Sequence, residues 1–290
     1  MLIADVPITI GQYESPMAAD LSAASSVSAR SLDGRLRAIV QEDGRVWVIF
    51  AAGQPVGMAS VAPLSGLPGL YELDGFIAPA WQRRGLGSHL LQQVMADLQG
   101  TAVRQISHLF ADLQSPAAQF LRRHNFTIEH EEWLLTKDNL ADCLPPTNRS
   151  DLSWDTLPYA QVGRLFCRLY DASFRAFPWY QPYSETEVSA ELAAARDVLF
   201  LRRGAAPIGF AWLRWPEKGL GQIEPLGIVA EEQGKGYGRY LLTVALHQLA
   251  QRGATQAQIG TWVANETAVA LYQSVGFRHQ ETITYLACTV

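Results

Sequence analysis

Gln233-Gly-Lys-Gly236-Tyr-Gly238 and Gln82-Arg-Arg-Gly85-Leu-Gly87 are two copies of one pattern, Q-x-x-G-x-G, standing 151 residues apart. The neighbouring sequence keeps that spacing. Ala117-Ala-Gln-Phe-Leu-Arg-Arg-His-Asn-Phe126 aligns with Ala268-Val-Ala-Leu-Tyr-Gln-Ser-Val-Gly-Phe277 at 151, and Pro55-Val-Gly-Met-Ala with Pro207-Ile-Gly-Phe-Ala at 152. Three landmarks at nearly one offset identify an internal duplication. At 290 residues the chain is long enough for two domains that each bury a core.

The two halves read alike at the level of elements. Strands at 46–51 and 56–61 flank the turn Ala52-Gly-Gln-Pro55, and strands at 198–201 and 208–213 flank Gly204-Ala-Ala-Pro207, with Gly and Pro supplying the turn. An apolar strand follows in each (70–77; 222–229), then the glycine loop. Next comes a helix marked by Leu86, Leu90, Leu91, Val94 and Leu98, or by Tyr237, Leu241, Leu242, Ala245 and Leu249. A strand (103–110; 256–263), a short helix and a final strand pair (126–136; 277–290) close each half. The expected fold class is therefore α/β or α+β, a mixed sheet with flanking helices, occurring twice. The expected domains are 1–137 and 153–290, joined by a Pro- and Asn-rich linker at 138–152.

Composition narrows the function. The net charge of −5 offers no basic footprint, which argues against nucleic acid as a partner. Hydrophobic residues at 48% and charged residues at 18% describe a globular chain rather than a disordered one. Cys143, Cys167 and Cys288 fit neither a disulfide framework nor a zinc site, and the six histidines fall singly, so no metal is expected. With no secretory leader and no long apolar span, the expected setting is the cytoplasm, away from membrane.

A glycine turn between strand and helix aims backbone N–H groups at the positive end of the helix dipole, an anion site by construction. Gly236 and Gly238 are expected to permit close approach of a pyrophosphate. Other phosphate motifs are excluded. Six residues, not four, separate Gly227 from Gly234-Lys235, and neither loop completes G-x-G-x-x-G. The chain also lacks G-x-S-x-G.

Strand, Q-x-x-G-x-G, helix, strand, then N-x-x-A-x-x-L-Y-x-x-x-G-F resembles the GNAT family of acyl-CoA-dependent N-acetyltransferases, twice over nearly the whole chain. The second copy is the fuller match, with Asn265, Ala268, Leu271, Tyr272, Gly276 and Phe277 in place. The resemblance implies acetyl-CoA as acyl donor. It implies that the backbone of Ile228 pairs with the pantetheine arm, that Gln233, Gly234, Lys235, Gly236, Tyr237, Gly238 and Arg239 bind the pyrophosphate, and that Asn265 orients the cofactor. It places Tyr272 near the sulfur, as general acid. The corresponding cofactor positions in the first copy are Ile77, Gln82, Arg83, Arg84, Gly85, Leu86, Gly87 and Ser88.

In such enzymes the carboxylate base often stands eleven residues before the first motif residue. Here that position is Gln222, which cannot take a proton. Glu224, two residues on, shares its face if the strand stays regular, and is the candidate base. The first copy departs further: Leu121 replaces the tyrosine, Gln114 the asparagine and Asn125 the glycine. It is expected to bind CoA or only to support the fold, although Glu72 and Asp74 leave a separate amine site open. One active copy in a tandem pair also resembles the mycothiol synthases, from which Gln222 is a departure.

Seven aromatic residues between Phe166 and Tyr183 bear on the acceptor. Phe177, Trp179, Tyr180 and Tyr183 line a pocket or pack a domain interface. The expected activity is acetyl transfer to a primary amine of a small molecule, with a protein or peptide acceptor and a non-catalytic CoA-binding sensor as alternatives.

Overall fold

A computed structural model of the chain describes residues 2–3, 6–23, 28–143, 145–147, 149–178, 180–192 and 196–290. The first repeat comprises β1 (Leu2–Ile3), β2 (Val6–Gln12), α1 (Ala18–Ala23), α2 (Ala29–Gln41), β3 (Arg45–Ala51), β4 (Gln54–Pro63), β5 (Leu70–Ile77), α3 (Leu86–Leu98), β6 (Gln105–Phe110), α4 (Pro116–Arg123) and β7 (Thr127–Lys137). The second comprises β8 (Leu152–Thr156), α5 (Tyr159–Phe174), α6 (Glu185–Leu192), β9 (Arg196–Arg203), β10 (Ala206–Glu217), β11 (Leu220–Ile228), α7 (Tyr237–Gln251), β12 (Gln256–Trp262), α8 (Glu266–Ser274) and β13 (Arg278–Thr289).

The chain forms two units, Met1–Glu129 with Thr284–Val290, and His130–Ile283. In the first unit the strand order is β1-β2-β3-β4-β5-β6, completed by the last residues of β13, where Thr284–Thr289 pair antiparallel with Phe110–Gln105. In the second it is β7-β12-β11-β10-β9-β8, with Lys137–Glu132 of β7 antiparallel to Ala257–Trp262. β7 and β13 are the equivalent closing strands of the two repeats, and each gives its greater or final part to the other half's sheet. The expected division at 138–152, with each half closed by its own strands, differs from this. Periodicity says that a strand has one apolar face; it does not say which of two similar sheets receives that face.

Among the described residues, the parallel pairing within each unit is made across the helix that follows the glycine loop, since a parallel pair needs a crossover. Helix α7 lays Leu241, Leu242, Ala245, Leu246 and Leu249 against Ile223, Ala257 and Ile259 on one face of the second sheet. On the opposite face α5 and α6 cover Phe200, Phe210 and Trp212 with Phe166, Leu169 and Val188. The first unit repeats this, with α3 over Ile106 and Phe110, and α1 and α2 over Val46, Val48 and Met58. Each fully buried Leu or Val contributes about 1.5–3 kcal/mol by leaving water, so these faces fix which side of the strands is open to chemistry.

Candidate active site

β11 and β12 are paired only over Leu220–Gln222 and Gln256–Gln258. Beyond that, β12 continues on β7 and β11 continues on β10, so the two parallel strands part and leave a wedge. The Val229 amide donates to Ile208 O at 3.0 Å, which makes Ile228 a non-hydrogen-bonded position of the antiparallel ladder. Its N–H and C=O therefore face away from β10, toward the wedge. Gln233 Nε2 donates to that carbonyl at 2.9 Å, tying the loop to the strand end. Gln82 does the same to Ile77 O at 2.8 Å in the first unit.

The loop then turns through two left-handed residues, Gly234 (φ 75°) and Gly236 (φ 80°), the second being the N-cap of α7. A β-carbon at either would meet nothing within 4 Å, so backbone conformation, not crowding, demands glycine there. No side chain caps α7, and its first N–H groups point into that open space. Gly238 differs from expectation. It lies inside the helix, and a β-carbon would come 3.4 Å from Leu271 Cδ2, so its part is helix-to-helix packing. Gly87 repeats this at 3.4 Å from Phe120.

The loop side chains are largely engaged elsewhere. Lys235 Nζ lies 2.9 Å from Glu232 Oε2, and Glu232, only 8% exposed, also takes Arg203 at 2.7 Å. Arg239 donates to Ser274 Oγ at 2.6 Å, Tyr237 is buried beneath the Arg149 guanidinium, and Asn265 Oδ1 caps α8 by accepting from the Ala268 amide at 3.2 Å. What this loop offers an anion is its backbone.

Glu224 stands on the open side of the wedge, but not for the reason of strand parity. Ile223 is opposite Leu213 and Leu226 is opposite Ala211, so Trp212 alone faces Glu224 and Pro225. This is a one-residue bulge, and alternation cannot be carried through it. β5, its counterpart, keeps unbroken register with β4. The Glu224 carboxylate reaches across the wedge to β12, where Oε1 lies 3.5 Å from the place a Gly260 β-carbon would take. It is open to solvent yet hemmed in by protein. This crowding raises its pKa above the ordinary carboxylate value; the Arg214 charge opposes the shift and Glu132 adds to it. Gln222 is spent in a chain of amides, Gln222 to Gln258 at 3.3 Å and Gln258 to Gln280 at 3.4 Å.

Tyr272, 5% exposed on α8, meets the wedge from the other face. Burial and then the Glu224 charge hold its phenol well above the usual tyrosine range, so it stays protonated. On the α5 side stand Tyr170, Phe174, Phe177, Tyr180 and Tyr183; Trp179 lies outside the described residues. Phe174 presses on Gly227 beside Phe210, Phe177 reaches Trp262 at 5.7 Å, and Tyr180 bonds Asp171. Burial raises the pKa values of Tyr170 and Tyr183, and Glu224 contributes to both shifts. Sequence reading missed Arg214, Gly260, Trp262 and Glu132. Strand alternation from Gln258 finds Gly260 and Trp262, but nothing local marks the other two.

The first unit has the same parts without the same opening. β5 and β6 part after Glu72 and Ser107, but His108 Nδ1 lies 2.6 Å from Leu73 O across the gap. A carbonyl only accepts, so the ring donates from Nδ1. Arg83 holds the left-handed position (φ 61°), Gly85 caps α3, Arg84 lies over Trp81, Leu86 is buried, and Ser88 Oγ is 2.9 Å from His124 Nε2. Asp74 is taken by Arg35 at 2.8 Å and by the Gly75 amide at 2.7 Å, leaving Glu72 in the register position of Gln222. Among the described residues no cluster of His, Cys, Asp and Glu could hold a metal ion, and no helix is long and apolar enough to cross a membrane.

A parted pair of parallel strands beside a glycine turn at a helix start, with a carboxylate on the strand and a buried tyrosine on the next helix, is the arrangement that the comparisons bear on. The chain belongs to the GNAT acetyltransferases, as two domains in tandem: residues 165–277 match the Acetyltransferase (GNAT) family and residues 42–128 an Acetyltransferase (GNAT) domain. It is an N-acetyltransferase whose acyl donor is acetyl-CoA. Among curated proteins it is similar to mycothiol acetyltransferase of Rhodococcus jostii, at 28% identity over 272 residues, 89% of this chain and 84% of that protein. Mycothiol acetyltransferase of a Nocardioides species is 27% identical over 237 residues, 74% and 79% of the two chains. In fold it is similar to a tandem GNAT protein from the clavulanic acid biosynthesis pathway (TM-score 0.67, 13% identity, 98% of each chain). A GCN5-related N-acetyltransferase from Sphaerobacter thermophilus gives 0.65 at 15% identity, covering 100% of this chain and 97% of that one.

Proposed function

We propose that the second unit acetylates the primary amine of a small molecule, with Glu224 as general base, directly or through water, and Tyr272 as general acid. What carries this reading is Glu224 standing over Gly260 at the wedge, with Tyr272 buried in the α7-side layer of the same unit and within the field of the Glu224 charge. The backbone of Gly234–Arg239 would hold the pyrophosphate, the Ile228 edge the pantetheine arm, and the Asn265 amide would orient it. Bound acetyl-CoA supplies the acyl group as a thioester. The amine nitrogen gives one proton to Glu224 before it attacks and loses a second as the C–N bond forms and the C–S bond breaks. Tyr272 protonates the departing thiolate and is reprotonated by that second proton, for a net release of one proton.

The name shared by the relatives, mycothiol acetyltransferase, favours a small-molecule acceptor over a protein chain. We assign the first unit a supporting role, on His108 across its gap and Leu121 in place of tyrosine. Three free cysteines fit a reducing cytoplasm. The test is acceptor-dependent release of CoA thiol, with Tyr272→Phe as control. The variant is expected to lose about 10²-fold or more in kcat with acetyl-CoA affinity kept; an unchanged kcat would remove Tyr272 from the chemistry.

A further inference from the structure

The order β7-β12-β11 puts β12 between two strands that carry carboxylates on the same face. Glu224 leans from β11 over Gly260. On the other side Gly260 is opposite Leu134 and Trp262 is opposite Glu132, so Glu132 is the diagonal neighbour of Gly260. The middle strand has no side chain at the one position that lies between the two acids. Glu224 Oε1 reaches Gly260 and Glu132 Oε1 is held by Trp262 two residues on, so both carboxylates bear on the same stretch of the middle strand. Trp262 Nε1 donates to Glu132 Oε1 at 3.0 Å and fixes where that carboxylate stands, while Phe177 closes against the Trp262 ring. Glu132 belongs to the first repeat by sequence and to the second unit by structure.

We infer that Glu132 is an acceptor-binding residue, holding the acceptor's ammonium together with Glu224 across the Gly260 notch before Glu224 takes its proton. This rests on the amine-acetylating reading above and gives it a substrate class: a primary amine that arrives as a cation, with a ring or apolar body against Trp262 and Phe177. The groups that face Glu224 are Arg214 from β10, Glu132 from β7, Tyr170 from α5, Tyr183 from the segment after it and Tyr272 from α8. Of these Glu132 is the other anion, and His130 stands 3.8 Å from it.

The experiment compares wild type with Glu132→Gln, which keeps an oxygen for Trp262 Nε1, using 2-phenylethylamine and glucosamine as probe amines. The variant is expected to raise the amine KM about tenfold, the scale of one lost charge-assisted bond. Its acid limb of kcat/KM should move to lower pH, because a negative neighbour no longer favours protonated Glu224. In the wild-type enzyme 2-phenylethanol or glucose, the neutral isosteres, should inhibit at least tenfold more weakly than the KM of the matching amine. An unchanged KM and pH limb, or equal binding of the isosteres, overturns the role of Glu132 while leaving the proposed activity standing. Wild type that acetylates neither amine defeats both.

Discussion

Arg214 sits one strand from Glu224, and at the residue scale the balance between the two sets the working pH. Its guanidinium opposes the crowding by protein that raises the Glu224 pKa. A base must be deprotonated to act, so activity is gained as pH rises through that pKa. Arg214→Met removes the positive neighbour, leaves the crowding by protein and Glu132 acting alone, and is expected to move the acid limb of kcat/KM to higher pH. A limb that stays in place would show that Arg214 does not govern the base. Tyr272 is held above the ordinary tyrosine range by the same surroundings, so the profile should lack a descending limb from loss of its proton below the usual tyrosine pKa.

The loop and the bulge are the elements that make the site. Gly236→Ala forces a β-carbon into the left-handed N-cap, at a cost of about 1–2 kcal/mol, and turns the α7 amides away from their common focus. Acetyl-CoA affinity is expected to fall by tenfold or more, read by calorimetry. Gly238→Ala instead presses on Leu271, the far end of a flexible side chain, and should lower Tm slightly with affinity retained. Equal losses of affinity in the two variants would contradict the separation of these roles. The bulge is the element that strand alternation cannot anticipate. Leu70 and Leu220 begin their strands 150 residues apart, while Ile77 and Ile228 end theirs 151 apart. That one added residue places Glu224 over Gly260 and has no counterpart in the first repeat.

At the scale of the whole molecule, β7 and β13 decide how the chain can be divided. A fragment that starts after Lys137 lacks the strand on which β12 is paired over Ala257–Trp262, and lacks Glu132 with it. Residues 138–290 expressed alone are expected to be insoluble or to give a broad, non-cooperative thermal transition, whereas the whole chain cut once within 138–152 should remain associated on size exclusion. A soluble, cooperatively folding 138–290 fragment would show that the exchanged strands are dispensable. The sequence by itself determined the duplication, the mixed sheet with its helices and the glycine turn between strand and helix, because each is carried by local spacing: a repeat offset, a period of two or 3.6, or glycines at fixed intervals. Only the tertiary structure decided that β7 and β13 trade sheets, that His108 bridges the gap of the first unit, that the Glu224 bulge faces Gly260, and that Glu132 stands beside Trp262. These depend on which strand lies beside which: the exchanged strands and the place of Glu132 are set by packing between segments more than a hundred residues apart, and the other two by strands that neighbour each other across the crossover helix.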